Sequence, residues 1–237
     1  MDLVVGVDTG GTFTDLIAVD RANGDMLRHK LASTPEDPAR AVLEGLRQLA
    51  PDADAQIAWL AHGTTVATNA VLTGRVARTA LVTTAGFRDV CELGRQRRPD
   101  LYDLDVPQPR QITPRELRLE VAERLAASGE VVQALDPDEL ARLADLLRES
   151  GVEAVAVVLL HSYANPVHEQ TVEAGLRRAL PGLPISISSS VSAEIGEFER
   201  TTTTGVNASL LPVMDRYLGD LEEALGRSPR IMQSNGG

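Results

Sequence analysis

A single cysteine, Cys91, occurs in the 237 residues. That excludes an intramolecular disulfide framework and any metal site built from clustered cysteines. A lone thiol of this kind is expected as a small buried apolar residue. Aromatic residues make up only 3% of the chain, so the core has to come from Val, Leu, Ile and Ala. Basic residues are outnumbered, 23 Lys and Arg against 34 Asp and Glu, and the net charge is −11. A phosphate backbone is held by a basic surface, so nucleic acid is excluded as the main partner. No apolar run approaches the ~20 residues that cross a bilayer and no cleavable signal pattern opens the chain, so no membrane association is expected and the expected compartment is the cytoplasm. No pair of the four histidines has zinc-ligand spacing.

What is present is an alternation of short apolar strands and amphipathic helices. Val4–Val7 and Leu16–Val19 read as two strands joined by a Gly/Thr turn, and Met26–Leu31 as a third. Ser33 to Pro38 carries cap and proline signals, and Ala39, Val42, Leu43, Leu46 and Leu49 recur at helical spacing. Strands are expected over 57–61, 79–84, 152–160 and 184–188, and helices over 66–72, 136–150, 165–180 and 201–225, the last kinked at Pro212. Leu117, Leu119 and Val121 fit a strand, and Ser128-Gly129-Glu130 before Val131-Val132 predicts that this strand returns as a hairpin. Residues 231–237 begin another strand and turn. The pattern predicts an α/β fold in which an antiparallel meander leads into a largely parallel sheet.

Two segments carry chemistry. In Asp8-Thr9-Gly10-Gly11-Thr12-Phe13-Thr14-Asp15, the glycines admit backbone conformations closed to other residues and let main-chain N–H groups approach a ligand. Such N–H groups form an anion-binding concavity, to which Thr9, Thr12 and Thr14 add hydroxyls. Asp8, at the end of the first strand, suits a water on Mg²⁺, which prefers oxygen ligands and keeps much of its hydration. The turn lacks a Walker lysine and leads into a strand rather than a helix, so neither the Walker loop nor the dinucleotide fingerprint applies. An ordinary Gly-Gly hairpin is the bland alternative.

The second segment is His62-Gly63-Thr64-Thr65-Val66-Ala67-Thr68-Asn69-Ala70, where a strand end meets a helix N-terminus that favours an anion. His62 is a candidate proton shuttle and Thr64 or Thr65 a candidate donor to a phosphoryl oxygen. The bland alternative is that Thr64 only caps the helix and His62 bonds to a neighbouring loop. His161, after a strand end, is expected to be structural. The Arg95–Arg98 stretch within the long 86–114 loop is either a substrate- or nucleotide-facing element or a solvated excursion.

These two motifs, with Gly86-Phe87-Arg88-Asp89, Gly94–Pro99, Leu159–Pro166 and Met232–Gly237, occur in an order that resembles the hydantoinase A/5-oxoprolinase family, including the acetone carboxylase β-type subunits. The resemblance implies an actin-like ATPase (ribonuclease H-like) amino-terminal domain with an α/β insertion. It further implies ATP and Mg²⁺ as cofactors and an ATP-dependent attack on an unreactive carbonyl. On this chain it assigns Asp8 to the metal and to catalysis, Thr9, Gly10, Gly11, Thr12, Phe13 and Thr14 to phosphate, and His62 and Thr64 to catalysis. The implied substrate is a cyclic amide, hydantoin or oxoproline-like, with a ketone-carboxylating enzyme and a non-catalytic assembly module as alternatives. The implied partners are a hydantoinase B-type large subunit and a carboxy-terminal half carrying a second phosphate loop. On this reading residues 1–199 form the family's amino-terminal domain and 200–237 a long helix and the start of the next, and the isolated chain is expected to be incomplete as an enzyme.

Overall fold

The structure is a computed structural model and describes residues 2–50, 56–96, 102–103, 105–106 and 111–232. In chain order its elements are β1 (Asp2–Thr9), β2 (Phe13–Asp20), β3 (Met26–Ala32), α1 (Pro38–Leu49), β4 (Gln56–Thr64), α2 (Val66–Thr73), β5 (Thr79–Thr84) and α3 (Val90–Leu93). There follow β6 (Arg118–Val121), β7 (Arg124–Leu125), β8 (Val131–Gln133), α4 (Pro137–Ser150), β9 (Ala154–Val158), α5 (Val167–Ala179), β10 (Ile185–Ile187), α6 (Ser188–Val191), α7 (Glu197–Leu225) and β11 (Arg230–Ile231). The chain divides into a discontinuous unit, residues 1–75 with 213–237, and an inserted unit, residues 76–212.

The discontinuous unit is built on a five-stranded sheet of order β11-β4-β1-β2-β3. The first three strands form the antiparallel meander, while β4 lies parallel to β1 and β11 parallel to β4. Period-two alternation sends Leu3, Val5 and Val7 from β1 and Leu16 and Ala18 from β2 to one face. There they pack with Val42, Leu46 and Leu49 of α1 and with Tyr217 and Leu221 of α7. Full burial of each such leucine stabilises by on the order of 1.5–3 kcal/mol. Helix α1 starts where the sequence placed it: Pro38 opens the first turn and the Asp37 carboxylate accepts from Arg40 N–H. It lies so close to the sheet that a Cβ at Gly45 would fall 2.5 Å from Leu16 Cδ1.

The inserted unit carries a four-stranded, wholly parallel sheet of order β10-β9-β5-β6. Every residue of the two inner strands, β5 and β9, is buried, and for β9 this is why Val152–Leu160 reads as a nearly continuous apolar run, broken only at Glu153. Leu143 and Leu147 of α4 and Val172 and Leu176 of α5 complete this core. Helix α4 is capped by the Asp136 side chain and stopped by Gly151 in a left-handed conformation, φ 63°.

A strand is present at Arg118–Val121, one residue later than expected because Leu117 ends a 3-10 turn, but its hairpin is not. β6 pairs in parallel with β5, and the hairpin that closes around Gly129 joins β7 to β8. The turn signal was sound, but the strand entering it was misassigned, because Ala122 and Glu123 interrupt the apparent run. The long last helix begins at Glu197, earlier than its apolar stripe, and is continuous through Pro212. The loop after Gly86 holds the short α3, which buries Cys91 as expected. Residues Arg97, Arg98 and 233–237 lie outside the described residues. Among the described residues no helix is long and apolar enough to cross a membrane.

Candidate phosphate-binding site

Strand pairing builds the site in the discontinuous unit. The β1–β2 register sets Asp8 opposite Asp15 and Thr9 opposite Thr14, and the β1–β4 register sets Asp8 beside Gly63 and Thr9 beside Thr64. Both sequence motifs therefore meet at one end of one sheet. The Gly10–Thr12 turn is closed by Gly10 N–H donating to the Phe13 carbonyl at 3.0 Å. Ser33, just past β3, buttresses it: its hydroxyl donates to the Gly10 carbonyl at 2.8 Å and lies 3.0 Å from Thr14 Oγ1, while its N–H donates to the Thr12 carbonyl at 2.9 Å.

Neither Gly10 nor Gly11 has a positive φ, so the expectation of a special backbone conformation is corrected. The demand is for close approach: a Cβ on Gly11 would stand 3.0 Å from Asn69 Nδ2 and one on Gly10 3.2 Å from the Phe13 carbonyl. The N–H groups of Gly11 and Thr12 find no acceptor among the described residues, which leaves them free for an anion.

The candidate residues separate by orientation. Asp8, Gly11, Thr12 and Phe13 are exposed, whereas Thr9, Thr14 and His62 are buried. Asp8 makes no ion pair among the described residues. Asp15 opposite it is paired with Lys30 at 2.9 Å, the only lysine in the sequence. Both carboxylates line a groove of about 580 Å³ with Gly6, Ile17, Arg28 and Ala61. Among the described residues no three His, Cys, Asp or Glu side chains cluster to enclose a metal. One unpaired, exposed carboxylate beside free amides is the donor set that suits a largely hydrated Mg²⁺ shared with a phosphate, so the residues present fit that ion.

His62 lies at 0% exposure with Nε2 hydrogen-bonded to the Tyr217 hydroxyl. Burial lowers its pKa, against the opposing effects of the Val7 backbone and the Asp8 charge, so the ring is neutral at neutral pH. Burial likewise raises the Tyr217 pKa, partly offset by the Thr9 and Thr64 hydroxyls beside it. Thr64 Oγ1 accepts from Val66 N–H at 3.1 Å, and Thr65 donates through both its N–H and its hydroxyl to the Thr9 carbonyl. The strand end, the helix start and the turn after Thr9 are thus locked together.

Ser33 and Tyr217 went unrecognised as site residues. Ser33 was absorbed into the helix-start signal, although counting back along the meander sets it against the turn. Tyr217 sits on an ordinary apolar stripe and has no local signal. In the inserted unit, Arg95 pairs with Glu199 at 2.6 Å. His161 lies 3.3 Å from the Tyr163 hydroxyl.

Comparison with known proteins agrees with this geometry. Caprolactamase subunit alpha of Pseudomonas jessenii is 37% identical over 98% of this chain and 35% of its own length. 5-Oxoprolinase 1 of Arabidopsis thaliana is 34% identical over 98% of this chain and 21% of its own. The crystal structure of the ATP-dependent caprolactamase superposes with a TM-score of 0.85 over 98% of this chain, and nucleotide-free acetone carboxylase with 0.83 at 26% identity over all of it. These two structures have the actin-like ATPase-type fold. The chain spans about a third or less of the length of the caprolactamase subunit and the oxoprolinase. The family model described as the hydantoinase/oxoprolinase N-terminal region matches residues 4–180, and this chain belongs to that family.

Proposed function

We propose that this chain supplies the amino-terminal phosphate-gripping part of an ATP-dependent hydrolase that opens a cyclic amide. The observation that supports this reading most directly is the Gly10–Thr12 turn, with two unpaired amides and the unpaired Asp8 carboxylate at its foot. The names of the caprolactamase and oxoprolinase relatives point to the amide.

In the proposed reaction the γ-phosphoryl group passes to the amide oxygen, breaking its bond to ADP and forming a C–O–P linkage. Water then adds to the activated carbon, and the C–N bond breaks as the nitrogen takes a proton and leaves as the amine. The resulting acyl phosphate is hydrolysed by a second water to carboxylate and phosphate. Positioning and electrostatics dominate phosphoryl transfer. Gly11 and Thr12 N–H groups and the Thr12 hydroxyl hold phosphate oxygens, and Phe13 flanks the turn. Asp8 would hold Mg²⁺ through its hydration shell, and the ion when bound would neutralise phosphate charge. Buried Thr9 and Thr14 brace the turn. His62 and Thr64 act from behind it, the neutral imidazole positioning the strand end rather than shuttling protons through solvent. A hydantoinase B-type large subunit and a carboxy-terminal portion with a second phosphate loop are the proposed partners, in a cytoplasmic hetero-oligomer.

A carboxylase reading is kept alive by the fold match to acetone carboxylase. The test is phosphate release by the complex assembled with those partners. Release that requires ATP, Mg²⁺ and a cyclic amide supports hydrolysis; release that requires both a ketone and bicarbonate replaces it with carboxylation. Complex formation with neither release leaves this chain an assembly module.

A further inference from the structure

The chain contains one lysine, and it stands beside the Gly10–Thr12 turn. Strand register puts Asp8, Asp15 and Lys30 in a single row across β1, β2 and β3. Lys30 Nζ donates to both oxygens of the Asp15 carboxylate at 2.9 Å. It also lies 4.9 Å from the centre of the ring of Phe13, the residue whose carbonyl closes the turn. All three members of the row line the groove of about 580 Å³ on the outward face of the sheet.

The charges on this face are unevenly placed. Asp8 and Asp15 are directly opposite one another, and like charges in that relation repel. On its other side Asp8 has Gly63, which carries no side chain. Arg21, Arg28 and Arg230 are engaged toward the opposite end of the strands. Arg21 pairs with Asp2 at 3.2 Å, Arg28 Nη2 donates to Met26 Sδ at 3.4 Å, and Arg230 lies 5.6 Å from the centre of the Trp59 ring. His29 alternates to the face that α1 covers, with Leu27 and Leu31. Lys30 is thus the cation that serves the end of the sheet where the turn lies.

Stability does not explain the pair. Its side chains are 56% and 54% exposed, and ion pairs in that setting contribute little. Its effect is on the charge that a ligand meets. A metal held through Asp8 answers one carboxylate and leaves Asp15 for the protein to neutralise.

We propose that Lys30 is a positioning residue of the nucleotide site. Holding Asp15 in an ion pair cancels the second negative charge at the strand end, so that Asp8 alone faces the metal and a polyphosphate is not repelled. The proposal rests on the nucleotide reading of the Gly10–Thr12 turn and is independent of what accepts the phosphoryl group.

The test is ATP-dependent phosphate release by the complex assembled with the proposed partners. It compares wild type, Lys30→Met, Lys30→Arg and a double variant carrying Lys30→Met with Asp15→Asn. At low ionic strength Lys30→Met should raise KM for ATP by about tenfold, with a smaller change in kcat and an unmoved denaturation midpoint. The ratio to wild type should shrink as salt is added, because exposed charges are screened. Lys30→Arg should keep the wild-type KM, and Asp15→Asn should restore it in the Lys30→Met chain. The proposal is overturned if Lys30→Met keeps the wild-type KM, if its penalty ignores salt, if Lys30→Arg behaves as Lys30→Met, or if Asp15→Asn restores nothing. A wild-type complex that releases no phosphate from ATP overturns the nucleotide reading, and this proposal with it. An active wild type matched by Lys30→Met overturns this proposal alone.

Discussion

The Ser33 hydroxyl reaches back to the Gly10 carbonyl at 2.8 Å, so the turn between the first two strands is held by a residue that follows the third. Ser33→Ala removes this support and the contact to Thr14 Oγ1 together. Stability should fall by about 1 kcal/mol, the net worth of an ordinary hydrogen bond. Nucleotide affinity of the assembled enzyme should weaken by up to about tenfold. Chemical denaturation and nucleotide titration measure the two; unchanged affinity would show that the turn keeps its shape unaided.

Asp8→Asn keeps the size of the side chain and removes its charge. The residue is exposed and unpaired, so the denaturation midpoint should stay within about 0.5 kcal/mol of wild type. ATP turnover of the assembled enzyme should fall by about a hundredfold or more, the scale for loss of a preorganised electrostatic contact. Preserved turnover would remove Asp8 from the metal site.

Two glycines in helices should respond with opposite signs. Gly45→Ala puts a Cβ 2.5 Å from Leu16 Cδ1 and 3.0 Å from Leu31 Cδ2, inside a filled interface. The overpacking, typically about 1–3 kcal/mol, exceeds the gain of about 1 kcal/mol in helix propensity. Gly219→Ala meets nothing within 4 Å and should gain up to about 1 kcal/mol. Thermal unfolding of both variants checks the contrast.

Tyr217→Phe strips the hydroxyl partner from buried His62 and should cost about 1–3 kcal/mol, the penalty for an unsatisfied buried group.

The lowered pKa of His62 also makes stability pH-dependent. Below its ordinary value of 6.5 the unfolded chain takes up a proton that the folded chain refuses, so unfolding binds protons and stability rises with pH in that window. The contribution is complete above 6.5 and is lost as pH falls through the depressed folded value. Denaturation of wild type and His62→Asn at several pH values should show a shallower acid-side slope in the variant.

Much of this was legible in the chain. The alternation in β1 and β2 fixed which side chains face the core, and so fixed that Asp8 faces outward. The even burial of β9 follows from a run without polar interruption, Ala154–Val158, whereas β5 buries Thr79, Thr83 and Thr84 because it lies between two strands. Less legible were relations set by long-range pairing. Nothing near Arg118–Val121 says that its partner lies parallel at Leu81–Thr84 rather than downstream. Likewise Tyr217 looks like any stripe residue until α7 packs it on His62. The glycines of the phosphate turn were identified, but the reason for them, the nearness of Asn69 and of the Phe13 carbonyl, required three dimensions.

The sheet that carries the phosphate turn is interrupted by the inserted unit, and contacts such as Arg227 Nη1 to the Ala58 carbonyl span 169 positions. During synthesis, residues 76–212 emerge as one contiguous block that contains every strand of its own sheet, while β1–β4 must wait for α7 and β11. On the ribosome the inserted unit's sheet is therefore the earlier of the two to have all its strands: the turn between β1 and β2 precedes it in the chain, yet its own sheet is completed later.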